Sequence, residues 1–232
     1  MAIDIAISAW IKTSFIDFPG VISTVLFLSG CNLRCPYCHN FGIVLGQHDE
    51  SIQFDDIKDH IVNRKGVVEG AVISGGEPSI HSGLKNLCGE LRALGVKVKI
   101  DTNGLEPDAI YDCRPDYLAL DVKTSFDKYP LLKASRPGYR GRLSQTVAIA
   151  KSMGKNAEAR ITAVPGVVGR GDIDNLCAEL HGVNKVYIQQ FNPNAQTLDP
   201  AYSSVKPYGI DELNIWRKIF LDAGIECEIR NV

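Results

Sequence analysis

The 232-residue chain has no apolar run long enough to span a bilayer, and its N-terminus has no basic stretch leading into a hydrophobic one. The expected compartment is therefore the cytoplasm. An excess of charge is missing as well: 25 Lys and Arg against 27 Asp and Glu leave a formal net charge of −2. On that balance neither nucleic acid nor an anionic membrane is an expected partner. Internal repeats, low-complexity linkers and composition breaks are also lacking, so the expected organisation is one domain over residues 1–232. The seven cysteines are odd in number and sit in a reducing compartment, which excludes a disulfide scaffold.

What is present is an alternation of strand-like and helix-like segments. Strands are expected at 21–29, 70–74, 96–101, 117–123, 157–164, 185–191 and 225–229, from short β-branched or apolar runs bounded by turn residues. Helices are expected at 54–64, 81–94, 107–111, 143–153, 173–181 and 211–223, from apolar stripes such as Leu84, Leu87, Leu91 and Leu94. Strands separated by helix-length crossovers imply an α/β fold with a mostly parallel sheet and right-handed connections. About six such units suggest a partial (βα)6 barrel with helices outside.

The strands are not apolar throughout, as strands buried on both faces would be. Lys97, Lys99 and Asp101 alternate with Val98 and Ile100; Asp121 and Lys123 alternate with Leu120 and Val122; Arg160 and Thr162 flank Ile161. Each strand thus has an apolar face for helices and a polar face. Polar groups enclosed on that face need partners, and a polar ligand is one way to supply them. An exposed sheet face is the alternative.

Three cysteines cluster in Gly30-Cys31-Asn32-Leu33-Arg34-Cys35-Pro36-Tyr37-Cys38-His39-Asn40, a C-x3-C-x2-C loop directly after a strand, with no fourth cysteine nearby. Three thiolates leave one position of a metal centre open, as catalysis at a metal requires. A zinc site with His39 as fourth ligand competes, but His39 adjoins Cys38, and adjacent residues rarely reach one tetrahedral ion. A 4Fe–4S cluster with one open iron fits three thiolates. The other cysteines, Cys88, Cys113, Cys177 and Cys227, are far apart and are expected to be small buried hydrophobes.

With an aromatic residue, Tyr37, before the third cysteine, this loop resembles the radical S-adenosylmethionine (SAM) superfamily. The resemblance implies a partial barrel and a 4Fe–4S cluster held by Cys31, Cys35 and Cys38. It also implies SAM on the open iron, cleaved on reduction to methionine and a 5′-deoxyadenosyl radical. Further motifs follow at successive strand ends. Ser74-Gly75-Gly76-Glu77-Pro78 has glycines that let backbone approach a ligand and a carboxylate for an ammonium; by the resemblance Gly75, Gly76 and Glu77 bind the SAM amino group, with Tyr37 also at the cofactor. Asp101-Thr102-Asn103-Gly104 and Asp121-Val122-Lys123 resemble motifs of glycyl-radical enzyme activases. There they imply that Asp101, Thr102 and Asp121 hold a monovalent cation and that Asp101 and Lys123 line the SAM site; oxygen ligands suit a hard cation. Arg160 resembles a strand arginine that contacts SAM, and its fork suits a carboxylate. A plain turn or salt bridge is the bland reading of each motif. Of Gln189 and Gln190, the sequence does not tell which points inward, and Asn192 is a further candidate.

Lys12-Thr13-Ser14-Phe15-Ile16-Asp17-Phe18-Pro19-Gly20, with Cys35-Pro36-Tyr37-Cys38-His39-Asn40, is similar to the anaerobic ribonucleoside-triphosphate reductase activating proteins. That implies a partner glycyl-radical enzyme, anaerobic ribonucleotide reductase, which loses a hydrogen from one glycine, and a low-potential reductant such as flavodoxin or ferredoxin. The segment 192–209, rich in Pro, Asn and Ser, is expected to loop over the barrel mouth and meet the partner. Two other functions stand beside this one: a radical SAM enzyme acting on a small molecule, such as a 7-carboxy-7-deazaguanine synthase, and a non-enzymatic iron–sulfur electron carrier.

Overall fold

The computed structural model describes residues 5–47, 52–134 and 137–231. Its strands are β1 (Ile7–Ser14), β2 (Ser23–Leu28), β3 (Gly70–Gly75), β4 (Lys97–Thr102), β5 (Tyr117–Asp121), β6 (Ala157–Ala163), β7 (Lys185–Gln190) and β8 (Glu226–Arg230). The helices between them are α1 (Phe41–Val44), α2 (Phe54–Asn63), α3 (Leu84–Ala93), α4 (Pro107–Cys113), α5 (Tyr139–Met153), α6 (Arg170–Glu179) and α7 (Ile210–Asp222). The chain forms two compact units. One comprises the chain up to Asn32 with Gly42–Thr102 and Asp108–Leu118; the other comprises Leu33–Phe41, Asn103–Pro107 and the chain from Ala119 onward.

In the first unit β2, β3 and β4 are parallel neighbours, with Ser23 opposite Gly70 and Gly70 opposite Lys97. Leu26, Ile73, Val98 and Ile100 share one face of these strands and are excluded from solvent, as is Leu87 of α3. β1 adds antiparallel to β2. The sequence pattern does not reveal β1, because its residues alternate only weakly and most stay partly exposed. It is fixed instead by Trp10, whose Nε1 donates to Thr24 Oγ1 at 2.6 Å, while that hydroxyl donates to the Ile11 carbonyl.

The second unit repeats the parallel pattern in β6, β7 and β8. Helix α7 lays Leu213, Trp216 and Phe220 into its core. Helices α5 and α6 begin three or four residues earlier than the apolar stripe suggests, for local reasons. Tyr139 stacks on Tyr129, and the Asp172 carboxylate accepts from the Gly169 amide at 2.8 Å, capping α6. The mostly parallel α/β architecture is as expected. No helix among the described residues is long and apolar enough to cross a membrane.

Candidate active site

In the first unit the end of β2 and the end of β3 close on each other. Gly30 adopts φ +80°, donates to the Ile43 carbonyl at 2.7 Å and accepts from the Glu77 amide at 2.8 Å. Gly75, at φ +117°, crosses the β2 backbone so tightly that a Cβ there would lie 2.4 Å from the Leu28 amide nitrogen. Gly76 follows, with its amide on the Leu28 carbonyl. Two adjacent glycines are required here because backbone, not side chain, fills the space on the other side. The turn therefore lies directly against Cys31.

Glu77 is 1% exposed. Its Oε1 accepts from the Ser79 amide at 3.0 Å, from the Ser79 hydroxyl and from Thr102 Oγ1 at 2.7 Å. Thr102, expected as a cation ligand, here orients Glu77. Asp101 receives the Lys99 ammonium at 2.6 Å and the Ser74 hydroxyl at 3.4 Å. Lys99 is only 2% exposed, so the polar face of β4 carries a buried ion pair that reading of the sequence did not single out.

The second unit holds Cys35 and Cys38. Backbone bonds pin their loop from two sides: the Arg34 amide donates to the Leu132 carbonyl, while Leu198 and Asp199 amides donate to the Cys38 and Pro36 carbonyls. The 192–209 segment is thus held against the cysteine loop, and its Tyr202 packs on Tyr37 and Phe191. His39 stacks on Phe191. Burial pushes the Cys35 thiol up to about 11, partly offset by the Lys123 charge, and burial likewise raises Cys38. Tyr37 is buried, and its hydroxyl has no hydrogen-bond partner among the described residues.

Asp121 ends β5 and gathers two cations: Arg160 Nε at 2.6 Å and Lys123 Nζ at 3.2 Å. Burial alone would raise the Asp121 carboxyl, but Arg160 and Lys123 outweigh it and hold it well below the usual carboxylate range. The parallel register places Arg160 opposite Tyr187 and Thr162 opposite Gln189, so Gln189 shares the Arg160 face. Gln190 points the other way and donates to the Tyr208 carbonyl at 2.7 Å.

All seven cysteines are thiols rather than disulfides. Cys88 and Cys113 are buried as expected, yet they interact, the Cys113 thiol and burial pushing the Cys88 thiol up, a proximity their spacing does not announce. Among the described residues no group of three or more His, Cys, Asp or Glu side chains is drawn to the spacing of a single metal ion. A multi-iron cluster spreads its thiolates further apart than one ion does. Each unit has chemistry that suits such a cluster: in the first, glycine backbone at Gly76, where a Cβ would collide with Gly30, lies against Cys31; in the second, a lysine charge beside Cys35 favours the thiolate.

Comparison with known proteins decides the family. The profile of the Radical SAM superfamily matches residues 25–177. The chain belongs to the radical SAM superfamily. This radical SAM protein is 33% identical over 195 residues to a Methanocaldococcus jannaschii protein assigned as a glycyl-radical enzyme activating enzyme, covering 81% of this chain and 80% of that one. It is 30% identical over 209 residues to the 7-carboxy-7-deazaguanine synthase of Rhodopirellula baltica, covering 84% and 75%. Among solved structures it is similar to Streptococcus suis SuiB bound to S-adenosylmethionine (TM-score 0.63, 15% identity, 88% of this chain and 52% of that one). Escherichia coli coproporphyrinogen III oxidase, a radical SAM enzyme, is a second (TM-score 0.59, 13% identity, 86% and 52%). The chain spans about half the length of these two structures, and at such identities they share the fold alone. Membership implies a 4Fe–4S cluster and SAM as cofactors.

Proposed function

We propose that this protein is a cytoplasmic activase that takes a hydrogen atom from one glycine of a partner glycyl-radical enzyme, anaerobic ribonucleotide reductase, using electrons from flavodoxin or ferredoxin. The observation that carries the reading is the Gly75-Gly76-Glu77 turn, packed by its backbone on the Gly30-Cys31 end of a three-cysteine loop. Similarity along most of the chain to an activating enzyme favours the glycyl-radical partner.

Cys31, Cys35 and Cys38 would hold the cluster. When bound, the cluster and SAM supply one-electron cleavage to a 5′-deoxyadenosyl radical. The chain's own residues bind and orient. Ser79 and Thr102 fix the Glu77 carboxylate, so it meets the SAM ammonium without reorganising. Lys123 and Arg160, both held by Asp121, present cations to the SAM carboxylate. Tyr37, with Tyr202 and Phe191 around it, excludes water beside the thiols. The proposal includes a monovalent cation on Asp101, Thr102 and Asp121; it would have to share Asp121 with Arg160 and Lys123, and Asp101 with Lys99.

The test is anaerobic reconstitution with iron and sulfide, reduction with SAM present, and chromatography for 5′-deoxyadenosine, with Cys35→Ala as control. Electron paramagnetic resonance then looks for a glycyl radical in anaerobic ribonucleotide reductase. Deoxyadenosine with a glycyl radical is expected. Deoxyadenosine without a radical in any glycyl-radical enzyme would move the assignment to a small-molecule substrate, the class of the Rhodopirellula relative. A formed cluster that never cleaves SAM would leave an electron carrier.

A further inference from the structure

The second unit contains a cavity of about 560 Å³ beside the end of β7. Its lining residues include Gln189, Gln190, Asn192, Asn194, Asn231 and Thr162, with His39 at one side and no Asp, Glu, Lys or Arg. The carboxamides come from three places: the end of β7, the loop that follows it, and the residue after β8. Their hydrogen bonding is uneven. Gln190 is locked by the Tyr208 carbonyl and the Phe191 amide, and Asn192 Oδ1 accepts from the Asn194 amide at 3.0 Å. Among the described residues, the side-chain amides of Gln189, Asn194 and Asn231 make no hydrogen bond. Asn231 stands at φ +63°, a left-handed conformation that asparagine tolerates better than most residues.

A primary carboxamide offers a carbonyl acceptor beside N–H donors, so it can pair with both the N–H and the C=O of a peptide group. A wall of them without charge has nothing to select a phosphate, a carboxylate or an ammonium. A nucleobase edge is read by a single bidentate carboxamide, whereas here several are spread over three segments. The volume lies within the ~300–1,000 Å³ of ligand sites generally and exceeds what one base needs.

We infer that this cavity receives the main chain of an extended polypeptide, the stretch of the partner that carries the target glycine, and that Gln189, Asn194 and Asn231 pair with its peptide groups. Recognition through backbone leaves the glycine, which has no side chain to grip, held by the residues on either side of it. The inference rests on the activase reading and places its substrate.

Asn194→Ala and Asn231→Asp test it, the second keeping shape and the left-handed backbone while replacing two donors with a charge. The probe is a fluorescein-labelled synthetic peptide spanning the glycyl-radical site of the enzyme that the wild type activates, followed by anisotropy on the reconstituted protein with SAM. Each variant is expected to bind the peptide about tenfold more weakly, and the double variant about a hundredfold. SAM affinity and peptide-free formation of deoxyadenosine stay at the wild-type level, as do the melting temperatures. Unchanged peptide affinity in the double variant overturns the inference. So does a loss of SAM affinity equal to the loss of peptide affinity, which would make the cavity part of the SAM site. If the wild type cleaves SAM but forms no glycyl radical in any partner, the activase reading falls and this one with it; if it forms the radical and the variants do so equally well, only this one falls.

Discussion

Replacing Gly76 with alanine inserts one methyl group where backbone already stands. The new Cβ would lie 1.9 Å from the Gly30 carbonyl oxygen, 2.6 Å from its carbon and 3.4 Å from Cys31 Cβ. Ordinary contact begins near 3.4 Å, so the two segments must part by about 1.5 Å. No flexible side chain gives way, since the obstructing atoms are main chain. The separation overpacks the turn and pulls apart the 2.8 Å bond between the Glu77 amide and Gly30. Overpacking and one lost hydrogen bond together cost roughly 2–4 kcal/mol. For a domain of this size that is about 5–15 °C in melting temperature. Moving Cys31 and Glu77 by that distance also misplaces the proposed cluster and SAM contacts, where a 1 Å error costs ~100-fold in rate. Gly89 supplies a control of opposite sign: it is exposed on α3 with nothing within 4 Å of a built Cβ, so Gly89→Ala should gain about 0.5–1 kcal/mol. The assays are thermal melts, iron content after reconstitution and deoxyadenosine yield. A Gly76→Ala protein that melts with the wild type and keeps its iron would refute the close approach.

Asp121→Asn leaves Arg160 and Lys123 without their shared anion; a loss of about 3–5 kcal/mol is expected in urea titrations, and a variant as stable as wild type would contradict the pairing. Glu179 gives a pH test. Burial, with Asp127 and Asp172 adding to it, pushes its carboxyl up to about 7 from 4.5, against the Phe126 amide bond that favours the charged form. Between those values the folded state holds a proton that the unfolded state has released, so stability falls as pH rises through the window and stays low above it. Glu179→Gln should therefore stabilise the protein at pH 8 and lose that advantage near pH 4.5; an advantage independent of pH would show that the carboxyl is not perturbed.

How much of this was readable from residues alone depends on what kind of group carries each feature. The order of strands and helices was, because apolar stripes such as Leu84, Leu87 and Leu91 mark their own burial. The polar face was foreseen from Lys99, Asp101, Asp121 and Arg160, but not that these charges neutralise one another, which depends on register and reach. Gln189 and Gln190 could not be told apart until the pairing of Thr162 with Gln189 fixed the pleat. β1 was invisible because an edge strand that stays half-exposed needs little hydrophobic pattern. The hold of Leu198 and Asp199 on the cysteine loop is made by main-chain atoms, and main-chain bonds leave no mark on residue identity.

Those two main-chain bonds have a consequence for any attempt to redirect the protein to a new partner. The stretch from Asn192 to Gly209 is the natural piece to exchange, being irregular and on the partner's side in the proposal above. Yet its amides at 198 and 199 are also the struts of the loop bearing Cys38. A transplanted segment of different length would unseat a proposed iron ligand while altering specificity, and the failure would present as poor cluster loading instead of poor recognition. Grafts that keep 196–202 and vary only the flanks separate the two properties.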